Sequence, residues 1–218
     1  MNEPVIMSER PSAFSHVMAQ MRDVEVQKDR MRFRFNLERC GEMIAYEVSR
    51  RLGYVERNIV TPLGEIFVSV LEERPVVGAI LRAALPMQQG FLRIFDDADN
   101  AFVSAYRKHT TGDKFVIQVD YISTPELDNR TLILLDPMMA TGKTIVLAYR
   151  ELMRFGAPKQ VFFCGVIASE EGMEYMQRNV PEARIFVGAV DNELTAKSYI
   201  VPGLGDAGDL AFGAKYGK

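Results

Sequence analysis

Hydrophobic residues along the chain form short apolar runs that alternate with amphipathic segments. The runs are rich in β-branched and aromatic residues and are bounded by charged or turn-forming residues, so each predicts a β-strand. The predicted core strands are 75–81, 101–106, 131–136, 160–168 and 184–190. The segments between them with helical spacing of apolar residues are 86–95, 145–155 and 170–180. This alternation predicts an α/β fold with a doubly wound, mainly parallel sheet that is flanked by helices and joined by right-handed crossovers.

The N-terminal part of the chain has a different pattern. Residues 1–11 have no clear period and predict an irregular arm, after which Ser12 is placed to cap a short helix over 12–22. Apolar residues among many charges predict an amphipathic helix over 29–52, which Gly53 ends. The predicted hairpin strands elsewhere are 55–60, 66–68 and 114–121.

Length and hydrophobic content set the domain organisation. With 218 residues, of which 48% are hydrophobic, the chain is long enough to bury a full core. We expect a single domain over 1–218, with an N-terminal helical arm at about 12–52, a core at about 75–190 and a C-terminal segment at about 191–213.

Charge and cysteine content exclude several classes of protein. The formal net charge is −3 and there is no basic run, so we expect no binding to nucleic acid. Cys40 and Cys164 are too few for a disulfide framework or a zinc site, and Cys164 lies in an apolar run that favours packing. With no apolar stretch of 18 residues and no secretory signal, we expect no membrane span and a reducing, cytoplasmic location.

Residues 131–144, TLILLDPMMATGKT, are the stretch around which the rest of the chain is organised. An apolar run ends in Asp136, which predicts a buried central strand that delivers a carboxylate to the edge of the sheet. The small, hydroxylated residues 140–144 then lead into the predicted helix that Gly156 closes. Backbone N–H groups at a helix N-terminus favour an anion, so the stretch predicts a phosphate-binding loop.

The residues of this loop allow two other interpretations, a P-loop and an ordinary strand-to-helix turn. The GKT ending suggests a P-loop kinase, but the first glycine of that motif would have to stand at Pro137, which excludes it. The second alternative is an ordinary strand-to-helix turn with a capping threonine.

Two further segments carry candidate chemistry. Arg82 follows the predicted strand 75–81, and ligands of open α/β sheets gather at such strand ends, so it is a candidate anion ligand; the alternative is a surface salt bridge. The segment 199–213, YIVPGLGDAGDLAFG, contains four glycines and a proline and is predicted to be an irregular loop that presents its own backbone.

These motifs together resemble a known family. DPMMATGKT resembles the phosphoribosyl-pyrophosphate signature of type I phosphoribosyltransferases, and YIVPGLGDAG resembles the base-binding segment of the uracil phosphoribosyltransferases. ILRAAL, which contains Arg82, is similar to the pyrophosphate-binding ILRAGL of that family. The resemblance implies a type I phosphoribosyltransferase fold with a small C-terminal hood over the base site. It also implies conversion of uracil and phosphoribosyl pyrophosphate to UMP and pyrophosphate in pyrimidine salvage, with Mg²⁺.

The resemblance assigns roles to particular residues. Asp136, Arg107 and Asp206 are the implied catalytic residues, and Asp206 is the implied metal ligand, directly or through water. Arg107 lies at the start of a loop and, by the resemblance, contacts the donor phosphoribosyl pyrophosphate. Arg82 helps to neutralise the pyrophosphate group of this donor. The implied donor-binding residues are Arg82, Arg107, Asp136, Pro137, Met138, Met139, Ala140, Thr141, Gly142, Lys143, Thr144 and Asp206. The implied uracil-binding residues are Ile200, Gly205, Asp206 and Ala207.

Some positions depart from the family pattern. Ala84 replaces a glycine, Leu210 replaces a basic residue, and Lys143 and Thr144 follow Gly142 where the uracil enzymes usually have glycine and serine. The TGKT ending resembles that of hypoxanthine-guanine phosphoribosyltransferases, which leaves a purine-base enzyme open as an alternative. A second alternative is a regulatory protein of the same fold that senses pyrimidines. Parts of the family are activated by GTP, which makes GTP a candidate activator, and we expect a homo-oligomer, either a dimer or a tetramer.

Overall fold

The computed structural model describes residues 3–109 and 115–215, and for 106–109 and 115–117 it describes the backbone alone. The α-helices in this part are α1 (Ala13–Arg22), α2 (Arg30–Ser49), α3 (Ala84–Ile94), α4 (Lys143–Leu152), α5 (Glu170–Asn179) and α6 (Ala207–Phe212). The strands are β1 (Val5–Ile6), β2 (Tyr54–Thr61), β3 (Gly64–Leu71), β4 (Val76–Leu81), β5 (Asp99–His109), β6 (Phe115–Ser123), β7 (Thr131–Leu135), β8 (Met138–Met139), β9 (Gln160–Ser169), β10 (Arg184–Asp191), β11 (Glu193–Leu194) and β12 (Ile200–Val201). Each predicted core strand and each helix between core strands is present.

An eight-stranded sheet forms the centre of the molecule. Its strand order is β1-β10-β9-β7-β4-β5-β6, with β8 paired to β9. The pairings are parallel except for that of β5 with β6. The prediction of a mainly parallel sheet is confirmed, and the predicted hairpin that β6 completes supplies its antiparallel edge.

Helices cover both faces of this sheet. In β7, Ile133 and Leu135 belong to the core layer that contains side chains of α1, α2 and α3. Leu132 and Leu134 belong to the opposite layer, which contains side chains of α4 and α5. Because successive side chains of a strand point to opposite faces, the strand is apolar throughout. This burial on both sides confirms the doubly wound architecture.

Both cysteines lie in the first of these layers. Cys40 and Cys164 are fully buried free thiols. Burial raises the pKa of each thiol well above its ordinary value. A thiol in such surroundings behaves as a small apolar side chain, so the packing role predicted for Cys164 is confirmed.

Helix α2 is the amphipathic helix predicted between Asp29 and Gly53. The Asp29 carboxylate caps it by accepting a hydrogen bond from the N–H of Arg32 at 3.1 Å. One side of the helix is buried, and its charged residues lie mainly on the other side. None of the helices among the described residues combines the length and the hydrophobicity that a membrane span requires.

Two segments that were predicted to be irregular contain regular structure. Strand β1 lies in the N-terminal arm and pairs with the edge strand β10. Helix α6 lies in the glycine-rich C-terminal segment, where the Asp206 carboxylate caps it by accepting a hydrogen bond from the N–H of Asp209 at 3.0 Å. Both predictions were wrong because a distant pairing partner fixes the first element and a single capping side chain starts the second.

The strand order reverses between β4 and β7. From β4 the chain passes through α3 to β5 on one side, whereas β7 lies on the other side of β4 and leads through α4 to β9. In open α/β sheets, a ligand-binding crevice opens at the carboxyl ends of the strands at such a reversal. Arg82 follows β4 and Asp136 follows β7, so both predicted site residues stand at this point.

Candidate active site

Helices α3 and α4 follow the neighbouring strands β4 and β7, and their N-termini lack the side-chain caps that the other α-helices have. Helices α1, α2, α5 and α6 each begin with a Ser or Asp whose side chain accepts a backbone hydrogen bond. The residues that precede α3 and α4 are Ala83 and Gly142, and neither has a side chain that caps its helix. In α4 the N–H of Lys143 makes only a long hydrogen bond, 3.5 Å, to the Thr141 hydroxyl. Uncapped N–H groups and the helix dipole attract an anion. Two such termini at the carboxyl ends of neighbouring strands suit a ligand with more than one phosphate.

The loop between β7 and α4 is held in place by its own hydrogen bonds. One carboxylate oxygen of Asp136 accepts a hydrogen bond from the N–H of Met138 at 3.2 Å. The carbonyl of Pro137 accepts from the N–H groups of Val166 and Ile167 on β9. These bonds hold the loop and the carboxylate of Asp136 at the carboxyl end of β7.

Gly142 allows this loop to turn into helix α4. Its φ is +67°, and a Cβ on it would lie 2.7 Å from the carbonyl oxygen of Gly172 on α5. The buried Ser169 supports the same turn, because its hydroxyl donates to the carbonyl of Ala140 at 2.5 Å and accepts from the N–H of Gly172 at 2.9 Å. The loop backbone is therefore clamped against α5 before any ligand binds.

Arg82 reaches from the end of β4 to the C-terminal segment. One of its terminal nitrogens donates to the Asp209 carboxylate at 2.9 Å and to the carbonyl of Gly213 at 2.8 Å. The Nε atom is buried and has no hydrogen-bond partner within the described part of the chain. A buried donor without a partner is costly, and an oxygen of a bound anion would satisfy it. The salt-bridge alternative for Arg82 is thus also present, with Asp209 as the partner.

The C-terminal segment presents its backbone at the same edge. Ile200 pairs with Leu194 in the small β11–β12 sheet and is buried. Gly205 has a φ of +95° and is exposed, while Ala207 begins α6 and is buried. The groups predicted to contact uracil therefore lie within one turn that leads from β12 into α6.

Contacts join this segment both to the β7–α4 loop and to Arg82, the elements predicted to bind phosphate. The N–H of Ala207 donates to the sulfur of Met138 at 3.1 Å, which connects the C-terminal segment to the β7–α4 loop. A Cβ on Gly208 would lie 3.3 Å from a carboxylate oxygen of Asp206 and 3.8 Å from Nε of Arg82. Asp206 and Arg82 are therefore neighbours.

The structure brings together most of the predicted site residues. Asp136, Met138, Arg82, Asp206 and Ala207 form the chain of neighbours just described. The buried members of the loop are Pro137, Met139, Ala140, Thr141 and Gly142. Met138 and Thr144 are half-buried, and Lys143 is exposed. Arg107 belongs to β5, and its side chain lies outside the described part of the structure.

Comparison with known proteins decides the family. The family model for uracil phosphoribosyltransferase matches residues 8–214. The chain belongs to this family. A uracil phosphoribosyltransferase of Porphyromonas gingivalis is 44% identical over 214 residues, which cover 98% of this chain and 99% of that protein. One from Thermococcus gammatolerans is 38% identical over 201 residues, covering 91% and 88% of the two chains.

A solved structure agrees with the fold of this family member. The AQ2163 protein from Aquifex aeolicus superimposes with a TM-score of 0.86 and is 30% identical in sequence. The match covers 99% of this chain and 100% of that one. The α/β architecture described above thus extends over the full length of a second protein.

Sequence reasoning missed several residues that shape the site. Ser169, Asp191 and Asp209 were not singled out, although each forms a hydrogen bond or ion pair that supports a site element. A serine between a predicted strand and a predicted helix is a recognisable capping signal for Ser169. Asp191 and Asp209 bind partners that are distant in sequence, so no local pattern indicates them.

Proposed function

We propose that this chain transfers the ribose 5-phosphate group of phosphoribosyl pyrophosphate to N1 of uracil, which yields UMP and pyrophosphate. The bond between ribose C1 and the pyrophosphate oxygen breaks, the bond between C1 and uracil N1 forms, and the N1 proton is released. Membership of the uracil phosphoribosyltransferase family supports this proposal. It would serve pyrimidine salvage, because a free base and an activated sugar enter and a nucleotide leaves.

The observation that carries the proposal is a contact between the loop 136–144, here called the phosphate loop, and the segment 199–213, here called the base segment. The 3.1 Å bond from the Ala207 N–H to the Met138 sulfur puts the glycine-rich segment directly beside the loop that follows Asp136. A base on the segment and a ribose phosphate on the loop would then be adjacent. Transfer between two substrates requires such proximity.

The donor is expected to bind across the two uncapped helix N-termini. Backbone N–H groups of 140–144 would hold its 5-phosphate. Arg82, whose Nε has no hydrogen-bond partner among the described residues, would bind pyrophosphate oxygens together with Arg107. Asp136 would contact the ribose hydroxyls and offset the positive charge that develops on the ring as pyrophosphate departs. Pro137, Met138 and Met139 shape the wall of this loop.

The described residues fit Mg²⁺ only as a metal shared with the donor. They contain no group of three or more His, Cys, Asp or Glu residues that could hold a metal ion. Mg²⁺ is commonly held by one or two carboxylates together with substrate phosphate oxygens, and Asp206 beside Arg82 offers one such carboxylate. When bound, the ion would offset negative charge on the leaving pyrophosphate.

Uracil is expected to be recognised by backbone groups of Ile200, Gly205 and Ala207. Its edge presents a carbonyl, an N–H and a second carbonyl, which alternating backbone groups can match. Cytosine replaces one acceptor by an amino donor, and each unpaired buried group costs about 1 to 3 kcal/mol. We propose that 191–213 forms the hood over this base and that 1–218 acts as one phosphoribosyltransferase domain.

The first test replaces Asp136 with asparagine. The variant should fold normally yet lose roughly a hundredfold in kcat, because a lost charge interaction of about 3 kcal/mol at the transition state has that effect. UMP formation is measured with purified protein, phosphoribosyl pyrophosphate, uracil and Mg²⁺. Asp99→Asn is the matched control, since Asp99 is ion-paired at the opposite edge of the sheet and should leave turnover unchanged. Near-normal kcat in a folded Asp136→Asn protein would contradict the role of Asp136.

A panel of bases separates the proposal from its alternatives. Uracil should be used far better than cytosine, hypoxanthine or guanine. A preference for hypoxanthine or guanine would instead indicate a purine-base enzyme, as the TGKT ending suggests. Binding of UMP or uracil without any nucleotide formation would indicate a pyrimidine-sensing regulator.

We further propose that the chain forms a homo-oligomer in the cytoplasm and is activated by GTP. The β2–β3 hairpin supports the first point, because it forms a separate two-stranded sheet whose apolar residues, among them Val60, Leu63 and Phe67, are exposed. Light scattering on wild type and on a Val60→Ser, Phe67→Ser double variant tests whether this hairpin makes the contact between subunits.

Addition of GTP to the assay of UMP formation tests the proposed activation.

A further inference from the structure

An ion pair at the carboxyl end of β10 binds the backbone of Gly203 in the C-terminal segment 199–213. Arg22, the last residue of α1, donates to both carboxylate oxygens of Asp191 at 2.7 Å. The same guanidinium donates to the carbonyl of Gly203 at 2.9 Å, and Asp191 accepts from the N–H of Gly203 at 2.8 Å. Both backbone polar groups of Gly203 are thus bound by this one pair.

Burial makes this pair more than a surface contact. The Asp191 side chain is only 8% exposed, and that of Arg22 is 27% exposed. Burial opposes ionisation of Asp191, but the hydrogen bonds from Arg22 and from the N–H of Gly203 outweigh it and lower the pKa of the carboxyl below its usual value. The pair is therefore charged at neutral pH, and its bidentate geometry is rigid.

The residue that the pair grips controls the local path of the chain. Gly203 has a φ of +63°, and a Cβ on it would lie 2.1 Å from the carbonyl oxygen of Ile200. Gly203 therefore packs against Ile200, and Gly205 follows two residues later. A shift of Gly203 would displace the backbone groups on both sides of it.

We propose that Arg22 and Asp191 are positioning residues for the base: the pair fixes Gly203 and so holds the backbone groups that select uracil. This inference rests on the proposed function, and it assigns the specificity of the site to residues that need not touch the substrate. The donor site is held by different side-chain bonds, those of Asp136, Arg82 and Ser169. Ser169 is the β9 residue paired with Asp191, but its hydroxyl bonds to Ala140 and Gly172 and not to Gly203. Loosening the pair should therefore affect the two substrates unequally.

The test compares three variants with a matched control. Arg22→Met removes the positive charge and keeps much of the side-chain volume, and Asp191→Asn removes the negative charge at constant shape. Arg22→Lys keeps the positive charge but cannot donate to both carboxylate oxygens as the guanidinium does. Arg130→Met is the control, because Arg130 is similarly exposed and is ion-paired with Asp99 at 2.8 Å at the opposite edge of the sheet. Thermal unfolding of all four proteins, with KM for uracil, KM for the donor and kcat, are measured at the same pH.

For Arg22→Met and Asp191→Asn, KM for uracil should rise about ten- to a hundredfold, the range for one lost hydrogen bond to a charged group. KM for the donor should change less than twofold, and the preference for uracil over cytosine should fall. Arg22→Lys should recover part of the uracil affinity. Arg130→Met should lower the unfolding temperature without changing either KM.

Each other outcome overturns the inference in a distinguishable way. If the variants lose thermal stability but keep the wild-type KM for uracil, the pair only stabilises the fold. If the KM values for uracil and for the donor rise together, the ion pair stabilises the whole site and does not specifically position the base. Failure of the variants to fold at 15 °C would assign the pair to folding and likewise contradict a specific role. If the wild-type protein forms no UMP, the proposed function fails first, and this inference fails with it.

Discussion

Lys143 is the residue at which the phosphate loop departs most clearly from the family pattern. It is the first residue of α4 and is exposed, and its backbone N–H points to the Thr141 hydroxyl at 3.5 Å. The uracil enzymes usually have glycine here. Because the loop is clamped from the other side by Ser169 and by the contact with α5, its shape does not depend on the Lys143 side chain.

Lys143→Gly should therefore preserve activity. We expect kcat within about twofold of wild type, a modestly raised KM for the donor from the lost positive charge, and a loss of less than about 1 kcal/mol in the free energy of unfolding. Steady-state kinetics and urea unfolding measure these quantities. Complete inactivity would mean that the ammonium group has a direct part in transfer.

At the scale of secondary structure elements, Ser169 couples helix α5 to the phosphate loop. Ser169→Ala should lower the free energy of unfolding by about 1 to 3 kcal/mol, because it removes a helix cap and leaves the buried carbonyl of Ala140 without its donor. KM for the donor should rise as the loop loosens. Ser12→Ala is the control, since Ser12 caps α1 away from the loop and its loss should change stability alone. An unchanged donor KM in Ser169→Ala would show that the loop keeps its shape without this bond.

Most elements of the core could be predicted from the sequence, and the exceptions have physical causes. β7 and β9 are buried on both faces, so their apolar runs are continuous and unmistakable. Val5 and Ile6 form a strand only because the edge of β10 is available to pair with them. Helix α6 is six residues long and contains Gly208, so its local helix propensity is weak and Asp206 at its start decides its formation.

Within the candidate site, local sequence indicated the side chains proposed to contact a ligand, but not the side chains that hold those elements in place. Asp136 and Arg82 directly follow apolar strands, and this position marks the carboxyl edge of a sheet. The partners Arg22 and Asp191 are separated by 169 residues and meet only in the folded chain. A glycine-rich segment shows that backbone is presented, but not which side chains hold it.

At the scale of the whole molecule, two carboxylates make stability depend on pH. Hydrogen bonds from Thr131 and Lys159 outweigh the burial of Glu73 and lower its pKa, and Asp191 behaves in the same way through Arg22 and Gly203. A lowered folded-state pKa means that the unfolded chain binds more protons in acid. Their contribution is therefore complete above the unfolded pKa values of about 4 and is lost as the pH falls through the lower folded values.

Urea unfolding at a series of pH values from 7 to 3 should show this loss. The midpoint should change little between pH 7 and 5 and fall progressively below about pH 4. A Glu73→Gln, Asp191→Asn double variant should be less stable than wild type at pH 7 but should lose less on acidification. Parallel pH profiles for the two proteins would show that other carboxylates dominate acid unfolding.

The bond between the Ala207 N–H and the Met138 sulfur pairs the amide proposed to bind uracil with a weak acceptor. A thioether is a weak hydrogen-bond acceptor on a flexible side chain, so it shields a buried amide without binding it tightly. A carbonyl oxygen of an arriving base is a stronger acceptor and would displace the sulfur at little cost. If Ala207 binds uracil as proposed, the base would meet an amide that is already oriented, and the Met138 side chain would move aside as the base binds.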